Sequence, residues 1–361
     1  MPKPARSKIP SLDGVRALSI IIVFIDHADL PQIIRGSTGV TIFFFLSGYL
    51  ITTLMLGEQD ATGRISVSGF YIRRALRIFP AMYLALAAAI VIGISGVVSS
   101  TLTTGGSIAS AFHLTNYWII FEGREGIPPG MNALWSLAVE EHYYVLFPLF
   151  FILILRKLSR GQQIGLLVSF CTIELIWRSV LHYMLGASFD RLYLATDTRL
   201  DSILFGALMA VAFNPVRGRR LFKGKIGSGP LVLIGLSLFA VARVIPTSSM
   251  MVFGPTAEGI GLIFIFTALI SQPSTWYGRI LNSRPIAYLG LISYAFYLDH
   301  RLILILVDHY AGLGVWPDAL LSFVLATGAA MLIFHYVERP VQGLRARFGH
   351  QSRPTVAEYT S

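Results

Sequence analysis

The chain has 361 residues, 54% of them hydrophobic and only 13% charged, with a formal net charge of +10. Soluble domains carry about 25% charged residues, so this composition excludes a soluble protein and indicates an integral membrane one. The basic residues fall in short tracts between apolar spans, which is the positive-inside pattern and excludes a phosphate-tracking nucleic-acid surface.

Long apolar segments predict an all-α polytopic membrane protein with about ten transmembrane helices, at 17–34, 38–57, 78–98, 133–155, 164–184, 198–214, 229–246, 256–272, 285–307 and 318–337. Lys3, Arg6 and Lys8 precede the first span as in a signal peptide. No small-residue cleavage site follows, and Asp26, His27 and Asp29 interrupt the apolar run, so an uncleaved first span is expected. The segment 107–121 is short and carries His113 and Asn116. With that segment not crossing, 22 Lys and Arg face one side and only Arg35, Arg124 and Arg191 the other. This asymmetry places both termini in the cytoplasm and makes 99–132 one long external loop holding a partly buried or re-entrant helix.

Residues 1–350 read as a single membrane domain, followed by a disordered cytoplasmic tail over 351–361. No internal repeat is visible, which weakens the case for a transporter built from inverted halves. The single cysteine, Cys171, permits no intramolecular disulfide and no cysteine-type zinc site. It is expected to act as a packing residue, and no metal is expected.

Ionisable groups at membrane depth mark functional sites. In the first span Arg16 precedes His27 by eleven positions, about three helical turns and about 16 Å, so both project from nearly one face. That sets an imidazole about halfway into a hydrocarbon layer about 30 Å thick, where it can take a proton from a hydroxyl. Asp26 and Asp29 lie on other faces of the helix, so neither is an obvious orienting partner. A histidine hydrogen-bonded between helices is the structural alternative.

In FYIRRALRIFP, Arg73, Arg74 and Arg77 precede the third span, with Arg74 and Arg77 as helix-surface neighbours suited to phosphate groups. A topogenic cluster or a lipid-headgroup contact is the alternative. WSLAVEEHYY, from Trp135 to Tyr144 at the outer end of the fourth span, brings two carboxylates and a histidine into lipid-depth helix. Glu140 and Tyr144 share a face, and Glu141 lies about 100° round. One glutamate would orient substrate or polarise a histidine; a helix-packing hydrogen bond is the rival. At the sixth span Asp197 and Asp201 share a face and Arg199 points elsewhere. They would line an acceptor entrance or form a salt bridge locking two helices. In the ninth span Asp299, His300 and Arg301 are adjacent, with His300 about 22 Å from the cytoplasmic start. Glu338, after the tenth span, is expected in structural pairing. No Walker loop, H-E-x-x-H, G-x-S-x-G or dinucleotide fingerprint occurs.

Together these residues resemble the acyltransferase family 3 membrane proteins, which acylate surface sugars, lipooligosaccharide signals and some small molecules. The resemblance covers about residues 9–347 and rests on several short motifs in the family's order. They are S-L-D-G-V-R-A (Ser11–Ala17), Arg16-x10-His27, G-V-T-I-F-F-F-L-S-G-Y-L (Gly39–Leu50) and Arg74-x-x-Arg77. W-S-L-A-V-E-E-H-Y-Y, T-R-L-D (Thr198–Asp201), S-Y-A-F-Y-L-D-H (Ser293–His300) and V-E-R-P (Val337–Pro340) complete the set. Where the family commonly has Trp before the last histidine, Asp299 stands here.

The resemblance implies a multi-pass O-acyltransferase of the cytoplasmic (inner) membrane. It would move an acyl group, most commonly acetyl, from acyl-coenzyme A to a hydroxyl of a surface or exported carbohydrate or glycolipid. Carried over, His27 is the catalytic residue and Arg16, Arg74 and Arg77 engage acyl-coenzyme A. The reading of the residues adds Glu140 and Glu141 to the catalytic group, Arg73 to the donor site, and Trp135, Tyr144, Arg199, Asp201 and His300 as acceptor-binding residues. Direct transfer and an acyl-histidine route both stay open. Many relatives also carry a C-terminal extracytoplasmic hydrolase-like domain, which this chain is expected to lack. The competing reading is a proton-coupled transporter or flippase of a lipid-linked glycan.

Overall fold

The computed structural model describes residues 9–219, 221 and 227–345. The expected tail over 351–361 and the basic residues Lys3, Arg6, Lys8, Arg220, Lys223 and Lys225 lie outside the described residues. The described residues form helices and no strand: α1 (Leu12–His27), α2 (Gly36–Thr62), α3 (Val67–Ser95), α4 (Thr104–Ala111), α5 (Thr115–Glu122), α6 (Leu134–Leu153), α7 (Arg160–Ser179) and α8 (Phe189–Leu194). After these come α9 (Leu200–Ala212), α10 (Ser228–Val244), α11 (Thr247–Ser271), α12 (Trp276–Leu281), α13 (Arg284–Tyr310), α14 (Val315–Ile333) and α15 (Arg339–Arg345). Among the described residues eight helical stretches, containing α2, α3, α6, α7, α9, α11, α13 and α14, are long and apolar enough to cross a membrane. α1 and α10 are shorter, with 16 and 17 residues. Each of the ten expected apolar stretches holds one of these ten helices, and the protein is an all-α polytopic membrane protein.

Two boundaries differ from the sequence expectation. α1 covers 12–27 rather than running to 34. Asp29 adopts a left-handed conformation with φ 53°, and Pro31 follows where a helix could not continue. Asp26 Oδ1 accepts the Gly36 N–H at 3.2 Å and so fixes the start of α2. The segment 107–121 is two eight-residue helices, α4 and α5, broken at His113 with φ 58°. At about 12 Å each, neither is long enough to cross alone.

The bundle is layered by burial. The apolar windows of α2 and α9 are 78% and 83% buried, whereas that of α14 is 17% buried. α14 displays Leu320, Val324 and Leu332 outward, a surface tolerable only against lipid. α2 and α9 touch backbone to backbone. A Cβ built on Gly48 would stand 1.9 Å from the Ile203 carbonyl oxygen, and one on Gly206 the same distance from that of Phe45. Small residues at such crossings let membrane helices approach closely, because lipid supplies no hydrophobic drive between them.

α1 and α13 run side by side in the same direction. At one end Gly290 admits the Asp13 carbonyl, where a Cβ would have 1.7 Å of space. Ser11 binds Asn282 through its N–H at 2.8 Å. At the other end His27 meets His300. Segments some 270 residues apart in the chain are thereby brought to one place.

Candidate active site

A cavity of about 160 Å³ lies among α1, α2, α3, α6 and α13. Arg16, Arg73, Arg74 and Arg77 line it, together with Glu140 and Tyr144. The arginines of α3 sit within its first three turns, after a start capped by Ser66 Oγ on the Gly69 N–H at 3.2 Å. The Arg74 guanidinium lies 3.4 Å from the Tyr144 ring centroid, a cation–π stack. It stands 3.8 Å from a carboxylate oxygen of each of Glu140 and Glu141, near enough for attraction but too far for a hydrogen bond. Glu140 accepts Ser47 Oγ at 2.7 Å. Arg73 stands 3.7 Å from Glu58, and Arg16 donates to Asp13 at 2.9 Å. Four guanidinium groups and one carboxylate therefore line the cavity, a balance that favours an anionic ligand.

Ser136 and Tyr297 line the cavity as well. The Tyr297 hydroxyl donates to the Ala133 carbonyl at 2.8 Å and accepts from Ser136 Oγ at 2.6 Å. The Tyr297 ring stands 5.6 Å from that of His300, centroid to centroid. His300 is fully buried and packs against Phe24 and Phe296 as well. Its Nε2 lies 2.7 Å from Nδ1 of His27, which is partly exposed. The histidine pair thus lies behind Tyr297, and His27 is not among the residues lining the cavity.

The sequence-predicted residues separate into groups. Arg16, Arg73, Arg74, Arg77, Glu140 and Tyr144 all line the cavity. Glu141 joins through Arg74. Neither glutamate is brought to His27; its partner is His300, from the opposite end of the sequence. Trp135 is buried in an aromatic group with Phe44 and Tyr193, at centroid distances of 6.2 and 4.8 Å. Arg199 donates to Thr41 Oγ1 at 3.1 Å, with its guanidinium 5.7 Å from the Phe44 ring and 5.4 Å from that of Tyr193. Asp201 is fully buried in a two-pronged pair with Arg178, at 2.9 and 2.7 Å. Of the two arrangements open in the sequence for Asp201, the helix-locking salt bridge is the one present. Cys171 is buried and free.

Sequence reasoning missed Arg178, and it met Ser136 and Tyr297 only as members of motifs, with no role of their own. A full charge in the apolar run of the fifth span was the available signal for Arg178. Ser136 and Tyr297 carry no such signal. Among the described residues no group of three or more His, Cys, Asp or Glu side chains is placed to hold a metal ion.

Comparison with known proteins gives a consistent picture. A family model described as an acyltransferase domain matches residues 9–335. The chain is 28% identical over 360 residues to the peptidoglycan O-acetyltransferase OatA of Listeria monocytogenes, covering 94% of this chain and 56% of that protein. It is 29% identical over 349 residues to the O-acetyltransferase OatA of Staphylococcus aureus, covering 92% of this chain and 57% of that protein. The chain thus spans little more than half the length of these relatives. No solved structure matches it.

Proposed function

The chain belongs to acyltransferase family 3, and from that premise we propose that it is a membrane O-acetyltransferase of a surface carbohydrate. In this reading both termini face the cytoplasm of a multi-pass inner-membrane protein, and acetyl-coenzyme A is the donor. The relatives' names support an acetyl group and a cell-wall polysaccharide such as peptidoglycan as acceptor. The observation that carries the donor assignment is the cavity lined by four arginines, a lining suited to the phosphates of a coenzyme A ester. The donor supplies an activated acyl thioester; every other requirement falls on the protein.

Arg16, Arg73, Arg74 and Arg77 hold the anionic end, and the apolar walls given by Phe43, Leu46 and Leu50 guide an uncharged arm toward Tyr297. His27 removes the proton from the acceptor hydroxyl as its oxygen bonds to the acyl carbon. The C–S bond breaks, and the imidazolium returns the proton to the departing thiolate. In the resting arrangement the Tyr297 ring separates the cavity from the histidines, so it must swing aside for transfer. Held shut, it shields the thioester from water, a recognised function of closed sites.

Purified protein in liposomes, given acetyl-coenzyme A with a labelled acetyl group and a cell-wall glycan, is expected to attach label covalently to glycan hydroxyls. Glycan crossing the bilayer with no covalent label would overturn the proposal in favour of a flippase. Arg74→Ala combined with Arg77→Ala is expected to raise the KM for donor about 10-fold or more, from the loss of charge-assisted contacts. An unchanged donor KM would reduce these arginines to topogenic charges. Tyr297→Phe removes both hydrogen bonds that pin the ring. It is expected to raise thioester hydrolysis in the absence of acceptor several-fold, as water gains entry. Hydrolysis at the wild-type rate would show that the hydroxyl does not hold a gate.

A further inference from the structure

His300 was expected to face the acceptor, yet it is 0% exposed, and protein groups occupy both of its ring nitrogens. Nδ1 lies 2.9 Å from the Tyr297 carbonyl oxygen and 3.1 Å from that of Phe296. Carbonyl oxygens only accept hydrogen bonds, so Nδ1 must carry the hydrogen. None of the ion pairs found among the described residues includes His300, and an uncompensated buried cation is strongly disfavoured. The ring is therefore neutral, and its Nε2 is a bare acceptor. The 2.7 Å contact to His27 then has one polarity: Nδ1–H of His27 donates to Nε2 of His300. A neutral imidazole carries a single ring N–H, so with that hydrogen on Nδ1 the Nε2 of His27 is left bare.

From this geometry we infer that His300 is a positioning residue, which selects the His27 tautomer whose Nε2 lone pair faces outward as the proton acceptor. The inference rests on the proposed function above and deepens it. Two backbone carbonyls of α13 set His300, and His300 sets His27. A helix turn thus fixes a proton position on a different helix without any carboxylate. Orientation of a catalytic imidazole by the group on its other nitrogen is a general requirement. What is particular here is that a second imidazole supplies it. The arrangement also keeps the pair together during transfer, because an imidazolium at His27 still donates through Nδ1 and the same contact serves both protonation states.

The test compares His300→Leu, which removes the acceptor, with His300→Gln, whose amide oxygen accepts near the place of Nε2. His300→Leu is expected to lower kcat about 100-fold, within the loss of up to about 10⁴-fold that follows when a catalytic imidazole loses the partner fixing its tautomer. The KM values for donor and acceptor stay within about 2-fold, while His300→Gln recovers most of kcat. A merely structural role would lower the yield of folded protein or raise KM without rescue by Gln. Wild-type kcat in His300→Leu, or Gln no better than Leu when both bind donor normally, overturns the inference. Should His300→Leu not fold, wild-type protein carrying 15N-labelled imidazoles decides the matter, with His27 assigned by its loss in His27→Ala. An unprotonated Nε2 supports the relay, and a hydrogen on Nε2 overturns it. His27→Ala run in parallel separates the two levels. If that variant is active, the proposed role of His27 as the base fails and the relay falls with it; if it is inactive while His300→Leu is unimpaired, only the relay fails.

Discussion

His27→Ala is expected to lower acyl transfer about 1,000-fold or more while donor binding is retained. A positioned general base contributes about 10²–10⁴-fold, and acetyl transfer to an alcohol needs that proton removed as the oxygen attacks. The donor contacts survive because His27 is not among the cavity-lining residues, whereas the four arginines are. The fold should survive as well. His27 is the last residue of α1 and partly exposed, so truncation there leaves no sealed void. The main structural cost is the lost donor to His300 Nε2, about 1–3 kcal/mol for an unsatisfied buried acceptor. The measurement is the single-turnover rate of label transfer in purified variant, with donor affinity determined on the same sample. Transfer at even a tenth of the wild-type rate would remove His27 from the chemistry.

Arg178→Ala is expected to be the most destabilising single change in the bundle, by about 3–5 kcal/mol, the usual result of stripping one partner from a buried pair. Arg178 and Asp201 are both 0% exposed. The guanidinium also donates to the Thr198 carbonyl at 3.0 Å and to Thr256 Oγ1 at 2.6 Å, so one side chain ties α7 to α9 and α11. Glu174 stands 4.0 Å away on the same helix as Arg178. Removing the cation leaves Asp201 with the Thr256 and Ser202 hydroxyls as partners and strips Glu174 of its ion pair. The double replacement Arg178→Met with Asp201→Leu should therefore cost less than Arg178→Ala alone, because it leaves fewer buried charges. Thermal unfolding in detergent, followed for each variant, reads both effects. An Arg178→Ala variant melting within about 1 °C of wild type would show that the network does not hold the three helices together.

Much of the fold is legible in the residues. Apolar runs of helix-spanning length gave all ten principal helices, since the need to satisfy every backbone group inside a membrane leaves no other structure for them. Their ends were less legible. The stop at His27 depends on Asp29 entering a left-handed turn, and the break at His113 likewise depends on one backbone angle. Such choices are stabilised by neighbours rather than by local composition. At the site, spacing along one helix performed well: Glu140 and Tyr144, four apart, do share the cavity wall. Spacing said nothing about which helix lies opposite. The glutamates of α6 face Arg74 of α3, and the imidazole across from His27 is separated from it by 273 positions. Ser136 and Tyr297 show the same limit, since a serine and a tyrosine in apolar helices are unremarkable until their hydroxyls are seen to meet.

The sequence by itself determined the membrane class, the helices and the set of ionisable side chains that had to be accommodated in the bundle. It did so because hydrophobic length and intrahelical spacing are local properties of the chain. Only the tertiary structure decided the partners: His27 with His300, Arg74 with Glu140 and Glu141, Arg178 with Asp201. Inside a bilayer no water is at hand to satisfy a polar group, so each one takes whichever partner the packing of distant helices brings within reach. That packing is set by close backbone crossings such as Gly48 on Ile203 and Gly290 on Asp13, which join segments far apart in the chain.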